Sequence, residues 1–386
     1  MKIVPYGQHY IDQKDIAIVK KSLRGKIITQ GSYLKKLEKA FTNLTKSKFS
    51  IACSSGTAAI HLSLIGLDLK KGDVVIMPAV NFISSFNMTN NLSCKIFLAD
   101  VDPESGQMTP QNVIDCIKKN KIKKVKLIIT MYLGGMPNNV ISFFKLKKKL
   151  NCYLLEDACH ALGSEYIHNG KKVSVGNCIH SDICTFSLHP VKSITSGEGG
   201  IITTNNYKFF KKMLLARSHG IERTKNHWNY DINKFGFNYR LSDINSSLAF
   251  SQLKKLNKFV VKRNSIAKYY DKLFIKLKNH IMISPASIDK KSSFHLYIIK
   301  IKNKDQKLKD RLIKFMINNN IIFQVHYIPI YRFNIANKYK VLKNFPGSEK
   351  YFSSAVSIPM HCRLNKKIQV RVFNLLNKFF ENEKSI

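Results

Sequence analysis

Apolar positions recur at helical spacing over residues 14–24 and again over 32–45, which predicts two amphipathic helices with Gly25 and Gly31 punctuating the link between them. From Phe49 the texture changes. The run FSIACSS is a short apolar strand entering a turn, TAAIHLSLIGL places Ala, Ile and Leu at helical spacing, and DVVIMPA is the next strand. Five further short runs follow, in CKIFLADVD, VKLIITMYL, CYLLEDACH, DICTFSLH and GGIITTN. Strands that alternate with helices predict an α/β fold, a large and mainly parallel sheet covered on both faces.

The alternation stops near residue 250. A long basic helical pattern from Ser251 to Lys278 leads into the alternating strand FHLYIIKIK, another helix, the segment IIFQVHYIPI and a closing helix from Lys366 to Phe380. This predicts a smaller α+β unit, and a chain of 386 residues is long enough for two cores. The expected division is 1–260 for the large unit, including the amino-terminal segment, and 261–386 for the small one. Residues 224–235 read as a loop. No stretch is an uninterrupted apolar span, and MKIVPYGQHYIDQKD reaches polar and acidic residues before any apolar run of signal-peptide length, so a soluble, cytoplasmic protein without membrane attachment is expected.

Charge alters this picture less than its size suggests. With 64 Lys and Arg against 24 Asp and Glu the chain carries +40, which invites a nucleic-acid partner. The lysines, however, stand mostly as short KK or KKK groups in helical patterns such as Phe143 to Leu150, where they form a solvated face. No specific nucleic-acid partner is expected; the positive field would instead help attract an anionic substrate, an effect that salt screens. Eight cysteines are spread singly with no CxxC pair, so neither a metal site nor a disulfide framework is indicated. Core packing accounts for most of them, including Cys53 and Cys159, which lie inside motifs.

Three constellations carry chemistry. Ser54-Ser55-Gly56-Thr57-Ala58-Ala59 stands where a strand ends and a helix begins, and the free N–H groups and dipole of a helix start suit a phosphate; helix capping alone would also explain it. Glu156-Asp157-Ala158-Cys159-His160 stands at the carboxyl end of a strand, the edge where ligands of open α/β sheets gather. There Asp157 can pair with a pyridine nitrogen or merely cap the following turn, and His160 can be a ligand residue or a satisfied core histidine. Thr185 to Lys192, followed by Gly197-Glu198-Gly199-Gly200, places a lysine between a strand and a glycine-rich turn, 35 residues after Asp157. Partly desolvated, such an amine becomes a nucleophile near neutral pH.

These residues resemble the sugar aminotransferases of the DegT/DnrJ/EryC1/StrS group. The resemblance runs from IVPYGQHYID through ITQGSYLKKLEKAF, SSGTAAIHL, GDVVIMPAVNFISS, EDACHALGS, FSLHPVKSITSGEGG and GFNYRLSDINSSLAFSQLKKL to HYIPI. It implies a fold-type I, aspartate aminotransferase-like transferase that uses pyridoxal 5'-phosphate and its pyridoxamine form. Lys192 would be the Schiff-base lysine and proton carrier, with Asp157 on the pyridine nitrogen. Gly56, Thr57 and Ser187 would take the phosphate, Phe82 the ring face and His160 the ring hydroxyl. Asn238 would reach the phosphate from the second subunit of a homodimer with shared sites. Tyr6, His326 and Tyr327 match segments that line the substrate cleft, and Arg240 could grip a carboxylate or diphosphate in a fork. Packing or dimer contact is an equal alternative for each of these four.

Within the group, HPVK around the lysine, SHGIER and GFNYRLSDIN most resemble the branch that serves pseudaminic acid biosynthesis. This implies transfer of an amine from glutamate to UDP-4-keto-6-deoxy-N-acetyl-β-L-altrosamine in two half-reactions. A different UDP- or dTDP-keto-hexose is the near alternative, because cofactor motifs bind what all members share. A sugar dehydratase on this fold goes with replacement of the lysine, and Lys192 is present. A non-catalytic cofactor-binding or DNA-binding regulator would carry an additional domain, for which a match starting in the first residues is expected to leave no room.

Overall fold

The computed structural model describes residues 2–223, 228–283, 290–302, 305–339 and 344–383. The two amphipathic helices span Gln13–Leu23 and Ser32–Thr45. The chain then lays down β1 (Phe49–Cys53), β2 (Val74–Pro78), β3 (Lys95–Ala99), β4 (Leu127–Met131) and β5 (Tyr153–Asp157). A side hairpin of β6 (Glu165–His168) and β7 (Lys171–Ser174) precedes β8 (Ile183–Ser187) and β9 (Gly200–Thr204).

Seven of these strands form one sheet in the order β1-β9-β8-β5-β4-β2-β3. β9 alone is antiparallel to its neighbours, and the other six share one direction. Their apolar runs follow from burial on both faces: every residue of LIITM in β4 and GIITT in β9 is buried. The helix Gly56–Gly66, whose apolar residues are not confined to one side, lies against this sheet and is buried along nearly all its length. Because six strands run the same way, the carboxyl ends of β1, β2, β4, β5 and β8 meet at one edge. The mixed, mainly parallel sheet expected from the sequence is the one observed.

Beyond residue 250 the long basic pattern resolves into the helices Asp243–Leu253 and Leu256–Phe274. The second helix packs on a three-stranded antiparallel sheet of Ile281–Ile283, Tyr297–Ile301 and Ala355–Ile358, with Gln306–Asn318 and Lys366–Asn382 completing the layer. Ile266, Tyr270, Ile299, Leu312 and Val372 meet in its core. Val4 joins that core and bridges to Ile321, whereas Ile330, Tyr331 and Ala336 pack into the core of the large sheet. The amino-terminal segment therefore reaches the small unit's core, and residues 330–336 return to the large one. Within the loop expected at 224–235, residues 224–227 lie outside the described residues, and Tyr230–Ile232 pairs with Ile221–Arg223. No helix among the described residues is long and apolar enough to cross a membrane.

Candidate active site

The register of three strands builds one wall. Gly200 of β9 lies between Cys53 of β1 and Ser187 of β8. A side chain on Gly200 would collide with the carbonyl of Ser55, so the missing Cβ lets the loop after β1 fold over the sheet edge. Gly56 then comes so near β8 that a Cβ on it would stand 2.9 Å from the Ser187 Cβ. Ser55 caps the helix Gly56–Gly66, its hydroxyl accepting from the Ala58 N–H at 3.0 Å. The capping alternative is thus realised by Ser55, while the N–H groups of Gly56 and Thr57, in the first turn, have no intrahelical carbonyl to bond. Gly56 lies against Ser187, and Gly56, Thr57 and Ser187 line the same cavity.

That cavity, about 730 Å³, lies between the carboxyl edge of the sheet and the segment 324–333. Asp157, at the end of β5, is 2 % exposed, and Oδ1 accepts the Cys159 N–H at 3.1 Å. It therefore does cap its turn. Among the described residues no Lys, Arg or His is in ion-pair contact with it. Burial pushes its carboxyl up from the ordinary value, against the opposing influence of Cys159, Lys192 and Ser85. Lys192 stands in the loop between β8 and β9, which is closed at its base by Leu188 N–H to the Gly199 carbonyl at 2.8 Å and Ser196 N–H to the Leu188 carbonyl at 3.0 Å. The residue lines the cavity, and burial lowers its amine from the ordinary lysine value while Cys159 and Asp157 act the other way. A less basic amine is the state a nucleophile and proton carrier requires.

The floor is aromatic. His160 is buried with Nε2 2.9 Å from the Tyr327 hydroxyl. His326 bonds through Nδ1 to the Ser357 hydroxyl at 2.9 Å and lies 5.3 Å from the Tyr6 ring. Burial drives His160 well below the usual imidazole range, with Lys192 and His326 adding to it, and His326 falls to about 3 by burial and the nearby Lys192. Phe82 is 51 % exposed at the mouth, its ring 5.8 Å from that of Tyr327.

Gly56, Thr57, Phe82, Asp157, His160, Ser187, Lys192, Tyr6, His326 and Tyr327 thus share one cavity. Asn238 and Arg240 do not line it: they form single bridges to Ser218 and Cys53 behind the β1 loop. Sequence reasoning missed His295, which is buried with its ring 4.2 Å from His160. It also missed Ser85 and Gln324. The one available signal was His295 itself, a polar residue set into the apolar alternation FHLYIIKIK. Among the described residues no three His, Cys, Asp or Glu side chains gather as metal ligands.

The residues fit pyridoxal 5'-phosphate on the chemistry they offer. Free amides at a helix start with a hydroxyl beside them suit the phosphate, and an unpaired buried carboxylate calls for a cation such as a protonated ring nitrogen. An exposed phenyl face and a depressed lysine border the space between them.

Comparison with known proteins agrees. Residues 9–377 match the model of the DegT/DnrJ/EryC1/StrS aminotransferase family. A UDP-4-amino-4,6-dideoxy-N-acetyl-beta-L-altrosamine transaminase of Campylobacter jejuni is 33% identical over 97% of this chain and 98% of its own. GDP-perosamine synthase of Escherichia coli O157:H7 is 27% identical over 99% of this chain and 100% of its own. The structure of Helicobacter pylori PseC, an aminotransferase involved in the biosynthesis of pseudoaminic acid, superposes with a TM-score of 0.90 at 28% identity, covering 99% of this chain and 100% of that one. The expected fold-type I architecture and pyridoxal-phosphate-dependent aminotransferase activity stand, and the chain belongs to the DegT/DnrJ/EryC1/StrS aminotransferase family.

Proposed function

We propose that the chain transfers an amine from glutamate to UDP-4-keto-6-deoxy-N-acetyl-β-L-altrosamine, forming the 4-amino sugar of pseudaminic acid biosynthesis. The observation that carries the catalytic part is the pairing of Asp157, a buried carboxylate without an ion-pair partner among the described residues, with the depressed amine of Lys192 in one cavity. When bound, pyridoxal phosphate supplies an electron sink and an amine carrier. Asp157 would keep the ring nitrogen protonated, and the amides of Gly56 and Thr57 with the Ser187 hydroxyl would hold the phosphate. Phe82 would stack on the ring and His160 would lie near its hydroxyl. Lys192, less basic than an exposed lysine, takes and returns the proton at the substrate carbon.

The likeness to the Campylobacter transaminase over nearly both whole chains supports the altrosamine substrate. Tyr6, His326 and Tyr327, which line the cavity beside Gln324 and Phe333, would receive the sugar nucleotide. Asn238 and Arg240 lie outside this chain's cavity, in keeping with service to a second subunit's site, so the active form proposed is a homodimer in the cytoplasm. Its units are 1–260 and 261–386. The likeness to GDP-perosamine synthase favours a second reading, a keto-hexose on another nucleotide. Incubating the enzyme and glutamate with UDP-, dTDP- and GDP-linked 4-keto-6-deoxy sugars and weighing the products separates them: amination of the UDP-altrosamine substrate alone is expected, and preference for any other sugar nucleotide would move the assignment to it.

A further inference from the structure

A hydrogen-bond chain crosses the cavity floor, and the backbone decides its direction. The Gly134 N–H faces Nδ1 of His160 at 3.4 Å, and Nε2 of the same ring lies 2.9 Å from the Tyr327 hydroxyl. An amide N–H can only donate, so Nδ1 accepts. The ring is neutral, because it is buried near Lys192 with His295 and His326 centred 4.2 and 6.2 Å away, and among the described residues no carboxylate is in ion-pair contact with it. A neutral imidazole that accepts at Nδ1 carries its proton on Nε2. Nε2–H therefore donates to the Tyr327 oxygen.

The first two members of the chain are held by other bonds. Gly134 and Gly135 have φ of 70° and 96°, a left-handed turn natural to glycine, and the Gly135 carbonyl accepts the Ser164 hydroxyl at 2.7 Å. The His160 carbonyl accepts the Ser293 hydroxyl at 2.8 Å. Among the described residues His160 is the one hydrogen-bond partner of the Tyr327 hydroxyl, and Tyr327 lines the cavity. Its own proton, not engaged by His160, is left for whatever fills that cavity.

We infer that Tyr327 is a hydrogen-bond donor of fixed direction into the cavity, with Gly134 and His160 as the positioning residues that set it, and that it takes a ligand oxygen bearing no proton. Two sources share that chemistry: an ionised ring hydroxyl of the cofactor and the carbonyl oxygen of a keto sugar. A ligand offering a hydroxyl proton at this point would meet a second donor and be disfavoured. The inference rests on the proposed function only for the identity of this oxygen.

The test reads the proton first and the ligand second. In ligand-free protein with nitrogen-15 histidine, NMR should find one ring protonated at Nε2 and bare at Nδ1 from pH 8 to pH 6, assigned as His160 by its shift in Tyr327→Phe. That variant, which keeps the ring, should bind either pyridoxal phosphate or the keto-sugar nucleotide about tenfold more weakly, whichever supplies the oxygen. His160→Gln, whose amide can accept from Gly134 and donate to Tyr327, should retain affinity better than His160→Leu. A ring bare at Nε2, a charged ring, or wild-type affinity of Tyr327→Phe for both ligands would overturn the inference. Failure of the wild-type protein to bind either ligand would count against the proposed function, leaving the ring's proton to decide this one.

Discussion

Gly56 opens the helix after β1 and Ser187 ends β8, two strands separated by the single strand β9, yet a Cβ on Gly56 would stand 2.9 Å from the Ser187 Cβ. The close approach depends on two absent side chains, at Gly200 under the loop and at Gly56 within it. It brings a helix start and a hydroxyl to one place, which is what a phosphate dianion needs.

Gly56→Ala tests this wall. The added methyl displaces the Ser187 side chain or lifts the loop, so we expect pyridoxal phosphate affinity to fall by about tenfold or more while the fold is kept. Equilibrium dialysis against the cofactor checks the first part and circular dichroism the second.

Asp157 should separate stability from binding. Its folded carboxyl is raised above the ordinary value, so the native state holds a proton longer than the unfolded chain as pH rises. The contribution to stability is fully present below the unfolded value and is lost as pH climbs through the folded one. In cofactor-free protein near neutral pH, Asp157→Asn should therefore raise stability by about 1 kcal/mol, with the gain vanishing in acid. The same variant should bind cofactor more weakly, because the partner of the ring nitrogen is gone. Urea unfolding of the cofactor-free protein at two pH values and cofactor titration check the opposite signs.

His361, outside the cavity, gives the reverse pH sign. Burial, with Arg263 nearby, depresses its imidazole to about 4. Its stabilising contribution is complete above the unfolded value and is lost as pH falls toward the folded one. Over that window each proton taken up only on unfolding costs about 1.4 kcal/mol per pH unit. His361→Gln should flatten the loss of urea stability between pH 7.5 and pH 5 by roughly that slope, whatever its effect at pH 7.5.

Asn238 tests the shared site. Lys192→Ala and Asn238→Ala proteins should each be impaired alone. If Asn238 serves the partner's cavity, refolding them together should restore about a quarter of wild-type activity, since half of the dimers are mixed and each has one intact site. No recovery on mixing would return Asn238 to its own subunit.

Much of this was legible in the chain because it is local. Strand-length apolar runs ending in Ser-Gly-Thr, Glu-Asp and Phe-Ser announce a parallel sheet and its loaded edge, and the two leading helices lie within a residue of their apolar patterns. Relations across the sheet were not legible. That β9 opposes its neighbours follows from the β8–β9 connection, residues 188–199, folding back without a helix, and the hairpin β6–β7 consists of short, partly exposed strands whose alternation is weak. His295 and Tyr327 converge on His160 from segments 135 and 167 residues away, and no spacing rule connects them.

The most direct measurement follows nitrogen-15 from labelled glutamate into the UDP-4-keto-6-deoxy sugar by mass spectrometry, in wild-type protein and in Lys192→Ala. The wild type should give the labelled 4-amino sugar nucleotide, and Lys192→Ala should lose at least about 10²-fold in rate, the scale of a missing proton carrier. Turnover by Lys192→Ala at the wild-type rate, or a wild-type protein that leaves the keto sugar without labelled nitrogen, would contradict the account.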